Sequence, residues 1–337
     1  MRGGIAFFVI LIGYHCHATD IRVRLVKGPA KQVVRVLDAT VFVDGMPETY
    51  ASANLIFEKD HWNVRSRKGR KNADNLEVVA KTALMSNQPM PTRLKLTEEG
   101  DVIAILPMET YLRGVVPFEM PRSWPTEALK AQSIAARSYA QKKIAIRHEE
   151  SFDVDTDFND QEFKLNAEPD EKIDSILKAT ASMVLMDDSH SVYEALYHAD
   201  CGGTTEDASA VWEGTEATKP RHDTPHVSDH WEAKFEKKSL ANRFATYFGL
   251  KKANVETVQA VGRNSGGRVK EVLVSMTNGV VKRMSPQEFR QILGYNNLKS
   301  TNFELAWAGP RLEITGIGRG HGVGLCQLGA RALAERG

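Results

Sequence analysis

From residue 19 to residue 106 the chain alternates apolar and polar residues with a period of two, which commits that stretch to strands. The runs are IRVRLV (21–26), VVRVLDATVFVDG (33–45), ANLIFEK (53–59), LEVVAKTALM (76–85) and RLKLTEEGDVIAILPM (93–108). Val, Ile and Thr suit a pleated, half-buried surface, and Gly45 and Gly100 punctuate the runs. The basic run Arg65–Lys71 lies between two such segments and predicts a solvated loop; contact with an acidic wall polymer is its functional alternative.

The period changes at Pro107. A short helix is expected over Glu109–Gly114, stopped by Gly114. A longer one starts near Pro125, with Glu127 at the end of the dipole that favours an anion. Ala128, Ala131, Ala135 and Tyr139 recur at helical spacing, which predicts close packing of that helix against another element. Further signals are a helix over 171–182, a hairpin over 255–276 turning at Asn264–Gly267, and a helix over 285–294 capped by Ser285. The fold class expected is α+β, mostly antiparallel, with one long buried helix. Its divisions are a β-rich region over 19–106 and a single domain over 107–337.

Composition narrows the partners. A formal net charge of +1 on 337 residues leaves no basic surplus for nucleic acid, whereas a neutral sugar polymer suits it. Residues 1–18 read as an export signal: Arg2, an apolar core from Ile5 to Ile12, and a small residue, Ala18, at the cleavage point. That core is too short to span a bilayer. The expected location is therefore periplasmic or extracellular, with no membrane span after cleavage. Cys201 and Cys326 then remain, and two cysteines in an exported chain point to one disulfide.

Glu119 stands between Pro117 and Pro121, ahead of a helix carrying Lys130 and Arg137. The prolines predict a turn between two elements, where a carboxylate can serve as general acid or be a plain solvated side chain. Phe118, Met120 and Trp124 offer the apolar wall that keeps such an acid protonated, or belong to the core.

TYLRGVVPFEM (110–120) and the TEALKAQSIAARSYA (126–140) that follows resemble the signature of the SpoIID/LytB family of peptidoglycan proteins. DQEF (160–163), ALYHADCGGTTEDASAVW (195–212), LKSTNFEL (298–305) and GIGRGHGVGLCQLGARALAERG (316–337) resemble its later blocks, in the same order. The resemblance implies a lytic transglycosylase that cleaves the MurNAc–GlcNAc β-1,4 bond of glycan strands, including strands stripped of stem peptides. There a single glutamate, Glu119 here, donates a proton to the leaving oxygen and then serves as base toward the C6 hydroxyl, which forms the 1,6-anhydro product. An ordinary glycosidase would add a second carboxylate; Glu109, Glu127, Asp200 and Asp207 lie inside the resembling blocks. The resemblance also implies groove roles for Lys130, Arg137, Gln161, Tyr197, His198 and His321. Arg137 would grip a lactyl carboxylate or acetamido oxygen through its planar fork.

Part of the family comprises amidase enhancers, so a non-catalytic glycan-binding module that activates a cell-wall amidase is the other reading. Some members bind zinc through Cys and His near the DQEF position. Here DVDTDFNDQEF (153–163) has neither, and Asp155, Asp157 and Asp160 hint at calcium without the EF-hand glycine and glutamate. No cofactor is expected, with zinc on His198, Cys201, His321 and Cys326 as the alternative to a Cys201–Cys326 disulfide or a reduced pair. Family members also continue past this chain's final glycine into a tyrosine-rich segment, which implies a shortened end here.

Overall fold

The computed structural model describes residues 19–156, 160–165, 168–212, 214–215, 217–223, 225–251, 254–277 and 279–337. The export signal and Asp157 lie outside the described residues. No helix among the described residues is long and apolar enough to cross a membrane. The fold is α+β with predominantly antiparallel sheets. It separates into two compact units, one ending at Ala195 and one running from Leu196 to Gly337, a division that falls inside the single domain expected over 107–337.

In the first unit, the alternating runs form β1 (Asp20–Val26), β2 (Gln32–Val43), β3 (Met46–Glu58), β6 (Leu76–Met85), β8 (Arg93–Leu96) and β9 (Val102–Pro107), and three strands that the alternation did not mark, β4 (His61–Ser66), β5 (Gly69–Ala73) and β7 (Gln88–Met90), join them. The inward positions of β2, namely Val34, Val36, Ala39, Val41 and Val43, are buried together with Leu55, Phe57, Val64, Val78 and Leu94 from its neighbours. The two-residue strand β10 (Val154–Asp155) adds to β1 in parallel and completes the sheet in the order β10-β1-β9-β8-β6-β2-β3-β4-β5, with β7 on β6. The basic run 65–71 is not a loop: Ser66 pairs with Gly69 across a tight turn joining β4 to β5, so most of its charges line a hairpin.

Helices α1 (Met108–Glu119), α2 (Thr126–Ile146) and α3 (Glu171–Ala179) pack against one another, and α1 and α2 also touch β1. That contact ties them to the strand region within the first unit. Helix α1 does not stop at Gly114 as the sequence suggests. Burial of Tyr111, Leu112, Val115 and Val116 carries it through Gly114 and Pro117 to Glu119. Helix α2 is the long buried helix expected, with Ala128, Ala135, Ala136 and Ala140 on its inward face.

The second unit holds β11 (Tyr197–His198), β12 (His230–Glu236), helix α4 (Lys237–Tyr247), the expected hairpin β13 (Val255–Arg263) and β14 (Val269–Met276), and β15 (Val281–Met284). Helix α5 (Pro286–Leu293), β16 (Phe303–Ala308), β17 (Arg311–Ile317), β18 (Leu325–Cys326) and α6 (Gln327–Ala334) follow. Ser285 and Glu288 form a full capping box on α5. Phe244, Phe289, Phe303, Val272, Leu312 and Ile314 form one core with Trp231. The short parallel pair β11–β18 sets Tyr197 beside Leu325 and His198 beside Cys326.

Candidate functional site

Glu119 is the last residue of α1, and Met120 leaves the helix with extended backbone and a fully buried side chain. The acid therefore closes a helix, where the sequence placed it on a free turn. One oxygen, Oε1, accepts the backbone N–H of Glu162 at 2.8 Å. The segment bearing that amide is fixed residue by residue. Asp160 accepts from Tyr139 Oη at 2.7 Å and from Arg147 Nη1 at 2.9 Å. Gln161, 1% exposed, accepts from Tyr111 Oη at 2.9 Å and donates to the Ala136 carbonyl. Phe163 stacks on Tyr111 with centroids 5.2 Å apart, and Lys164 N–H donates to the Gly114 carbonyl at 2.9 Å. Gly114 is required here, because a Cβ would lie 2.5 Å from the Phe163 ring. The DQEF block is thus a strap laid along α1, and its backbone presents a donor to the acid.

This geometry reassigns three of the expected groove residues. Gln161 is committed to the scaffold beneath the strap. Arg137 is 1% exposed and grips Glu109 through Nε and Nη2, both at 2.9 Å, with Nη1 on the Met183 carbonyl. Its fork is filled by a protein carboxylate, so no sugar group is needed to satisfy it. Lys130 pairs with Glu127 one turn away, at 2.8 Å on the surface. Neither cation pairs with Glu119. A cleft of about 490 Å³ opens beside Arg93, Thr110, Arg113 and Phe163, and Glu119 does not line it. Asp155 and Asp160 are held by Arg24 and Arg147 respectively, which leaves the calcium hint without a ligand set among the described residues.

In the second unit, His198 is buried; its Nδ1 meets the Val323 carbonyl at 2.9 Å, and its Nε2 has no hydrogen-bond partner among the described residues. His321 accepts the Val323 N–H on Nδ1 and lies 5.6 Å from the His198 ring and 4.9 Å from Trp212, centroid to centroid. Burial, reinforced by the neighbouring His321, lowers His198 to about 3, and burial lowers His321 to about 4. Both rings are neutral at physiological pH. Tyr197, half-buried, is fixed by its pairing with Leu325. Gly318, Gly320, Gly322 and Gly324 all take positive φ, and a Cβ at Gly324 would lie 2.0 Å from the Leu196 carbonyl oxygen.

Cys201 and Cys326 are free thiols, both buried, so the expected disulfide is absent. Their sulfurs cluster with Asp200 and His226, the four ligating atoms all within 4.8 Å of one another. The two cysteines thus lie with Asp200 and His226, not with the His198 and His321 that the sequence suggested. His226 and its neighbour Asp223 escaped the sequence reading because 222–230 carries no periodic pattern. The density of His and Asp in HDTPHVSDH was the available signal. Burial raises Asp200, but donors from His226, the Gly202 and Asp229 amides and Ser228 outweigh it and hold the carboxyl below its ordinary value. Cys326 is raised by the Cys201 thiol, burial and Asp223.

The first unit sets Glu119 against the DQEF strap, and the second holds a glycine-rich cluster beside His198 and His321. A family model described as stage II sporulation protein matches residues 97–186, and one for a domain of unknown function matches 217–324. The stage II sporulation protein D of Bacillus subtilis strain 168 is 30% identical over 249 residues, covering 69% of this chain and 70% of that protein. The protein of the same description from Bacillus amyloliquefaciens is 29% identical over 296 residues, 81% of this chain and 82% of that one. An amidase enhancer of Bacillus subtilis strain 168 is 26% identical over 275 residues, 67% of this chain but 38% of its own length. The chain belongs to the SpoIID/LytB family.

Proposed function

We propose that this chain is an exported lytic transglycosylase of the cell wall, acting on peptidoglycan glycan strands with Glu119 as general acid and then general base. The observation that carries the reading is the setting of Glu119. The acid is anchored on one oxygen by the Glu162 amide, while Arg137 and Lys130, the cations that flank it in sequence, are engaged by Glu109 and Glu127. It also ends α1, where the chain turns toward Pro121. Membership of the family supports a role at the cell wall. Tyr197, His198 and His321 are assigned to sugar binding, beside the exposed ring of Trp212.

The test is mass spectrometry of products from intact and peptide-free glycan strands incubated with the protein and its Glu119→Gln variant. Anhydro-muramyl products from the parent protein alone support the assignment; reducing-end products from either would replace it with hydrolysis. The similarity to an amidase enhancer favours a second reading, in which the chain binds glycan and activates a cell-wall amidase without cleaving. Strand binding with no products, together with a rise in amidase turnover on adding the chain, would select it.

A further inference from the structure

We propose that Cys201, Cys326, His226 and Asp200 form a binding site for a thiolate-seeking divalent metal, with Zn²⁺ the best match. The four residues converge from three places: the turn after β11, the loop before β12, and the β18–α6 junction. Two thiolates, an imidazole and a carboxylate are the donor types zinc takes in four-coordinate sites. Their mutual distances, within 4.8 Å, need only a small contraction around an ion with bonds of about 2.0–2.3 Å.

The backbone around the sulfurs is a second, independent observation. Gly203 N–H points at Cys201 Sγ at 3.2 Å. Cys201 N–H and Gly329 N–H point at Cys326 Sγ at 3.3 and 3.4 Å. Cys326 is also the N-cap of the eight-residue helix α6, whose positive end faces that sulfur. Three amides and a helix end aimed at two sulfurs supply the donors that metal-bound thiolates accept; the sulfurs of a disulfide would gain little from them. Gly329 is needed for this approach, because a Cβ there would lie 2.1 Å from Asp223 Oδ2.

The imidazole is oriented for the role. His226 Nε2 lies 3.0 Å from Asp200 Oδ1 and 4.0 Å from Cys326 Sγ, while Nδ1 lies 3.8 Å from Asp223 Oδ2. One ring nitrogen faces the cluster and the other faces an outer carboxylate, the arrangement that orients histidine ligands. His198 and His321 stay outside it, each with Nδ1 on the backbone of Val323. On binding, each thiol gives its proton to solvent as its sulfur–metal bond forms, so two protons leave per ion. The inference does not depend on the cleavage chemistry.

The experiment is metal analysis of the full chain purified without a histidine tag, followed by chelator treatment and titration with Co²⁺. The expected result is one equivalent of zinc, a cobalt spectrum with tetrahedral d–d and sulfur charge-transfer bands, and alkylation of both cysteines only after chelation. Cys326→Ser and His226→Ala should lower affinity at least tenfold, with His198→Asn unchanged. The unmodified chain decides the matter if a variant fails to fold. No stoichiometric uptake of either metal, alkylation rates indifferent to metal, or a Cys201–Cys326 linked peptide in the purified protein would each overturn the proposal. So would a loss in His198→Asn equal to that in His226→Ala.

Discussion

The backbone N–H of Glu162 donates to Glu119 Oε1 across 43 residues of sequence, at 2.8 Å. Because the donor is main chain, no substitution at position 162 other than proline removes it. What holds the amide in place is the strap on either side: Gln161 beneath Tyr111, and Lys164 on the Gly114 carbonyl. The geometry of Glu119 is therefore set by the strap as well as by its own helix.

Glu119→Gln should keep the fold, because the amide oxygen can still accept from Glu162. Glycan cleavage should fall by at least about 10²-fold, the ordinary contribution of a general acid. Product formation measured beside an unchanged thermal transition would check it.

Gly114→Ala should act at a distance. The added methyl meets Phe163 and the Lys164 carbonyl, an overpacking that costs about 1–3 kcal/mol. Displacing the strap also moves the Glu162 amide, so turnover should drop although the acid is intact. Urea titration together with kcat reads both effects; full kcat in a destabilised variant would show that the strap does not position Glu119.

Glu109→Gln should strand the Arg137 guanidinium, which is 1% exposed where Glu109 is 43% exposed. Removing one side of a fully buried pair costs about 3–5 kcal/mol, and the exposure of Glu109 reduces this to about 2 kcal/mol. The double variant Glu109→Leu, Arg137→Met should lose less than the two single changes summed, as a double-mutant cycle in urea would reveal.

Acid stability should follow the buried histidines. With folded values of about 3 for His198 and about 4 for His321, the folded state refuses protons that an unfolded chain accepts near 6.5. Their contribution is complete above pH 6.5 and is lost as pH falls from there toward the folded values. For His198 the loss is ~1.4 kcal/mol per pH unit. Thermal transitions between pH 7 and pH 4 should steepen accordingly, and His198→Asn should flatten the slope; an unchanged slope would refute the assignment.

Much of the fold could be read from local pattern. The alternation in β2 and β6, the Asn264–Gly267 turn and the Ser285–Glu288 capping box all express preferences contained in a few neighbouring residues. Gly114 and Pro117 misled for the same reason. Read locally they stop a helix, yet Tyr111, Val115 and Val116 bury enough apolar surface to outweigh both. The site was less legible because its partners are remote. Arg137 reads as a surface charge until Glu109, 28 residues earlier, comes into view. Likewise His226 lies 100 residues from the Cys326 sulfur it approaches, and no spacing rule links the two.

The parallel pairing of β11 with β18 gives the second unit an order of assembly. Tyr197 and His198 find their strand partners only at Leu325 and Cys326, and the Cys201 amide reaches its sulfur 125 residues downstream. Such contacts close the largest loops in the unit and so form late. While the chain is emerging from a ribosome, β11 waits unpaired with a bare thiol behind it. Maturation of this half of the protein is thus gated by delivery of residues 325–326, and chains cut short of them would lack the strand that seats His198 and Cys201.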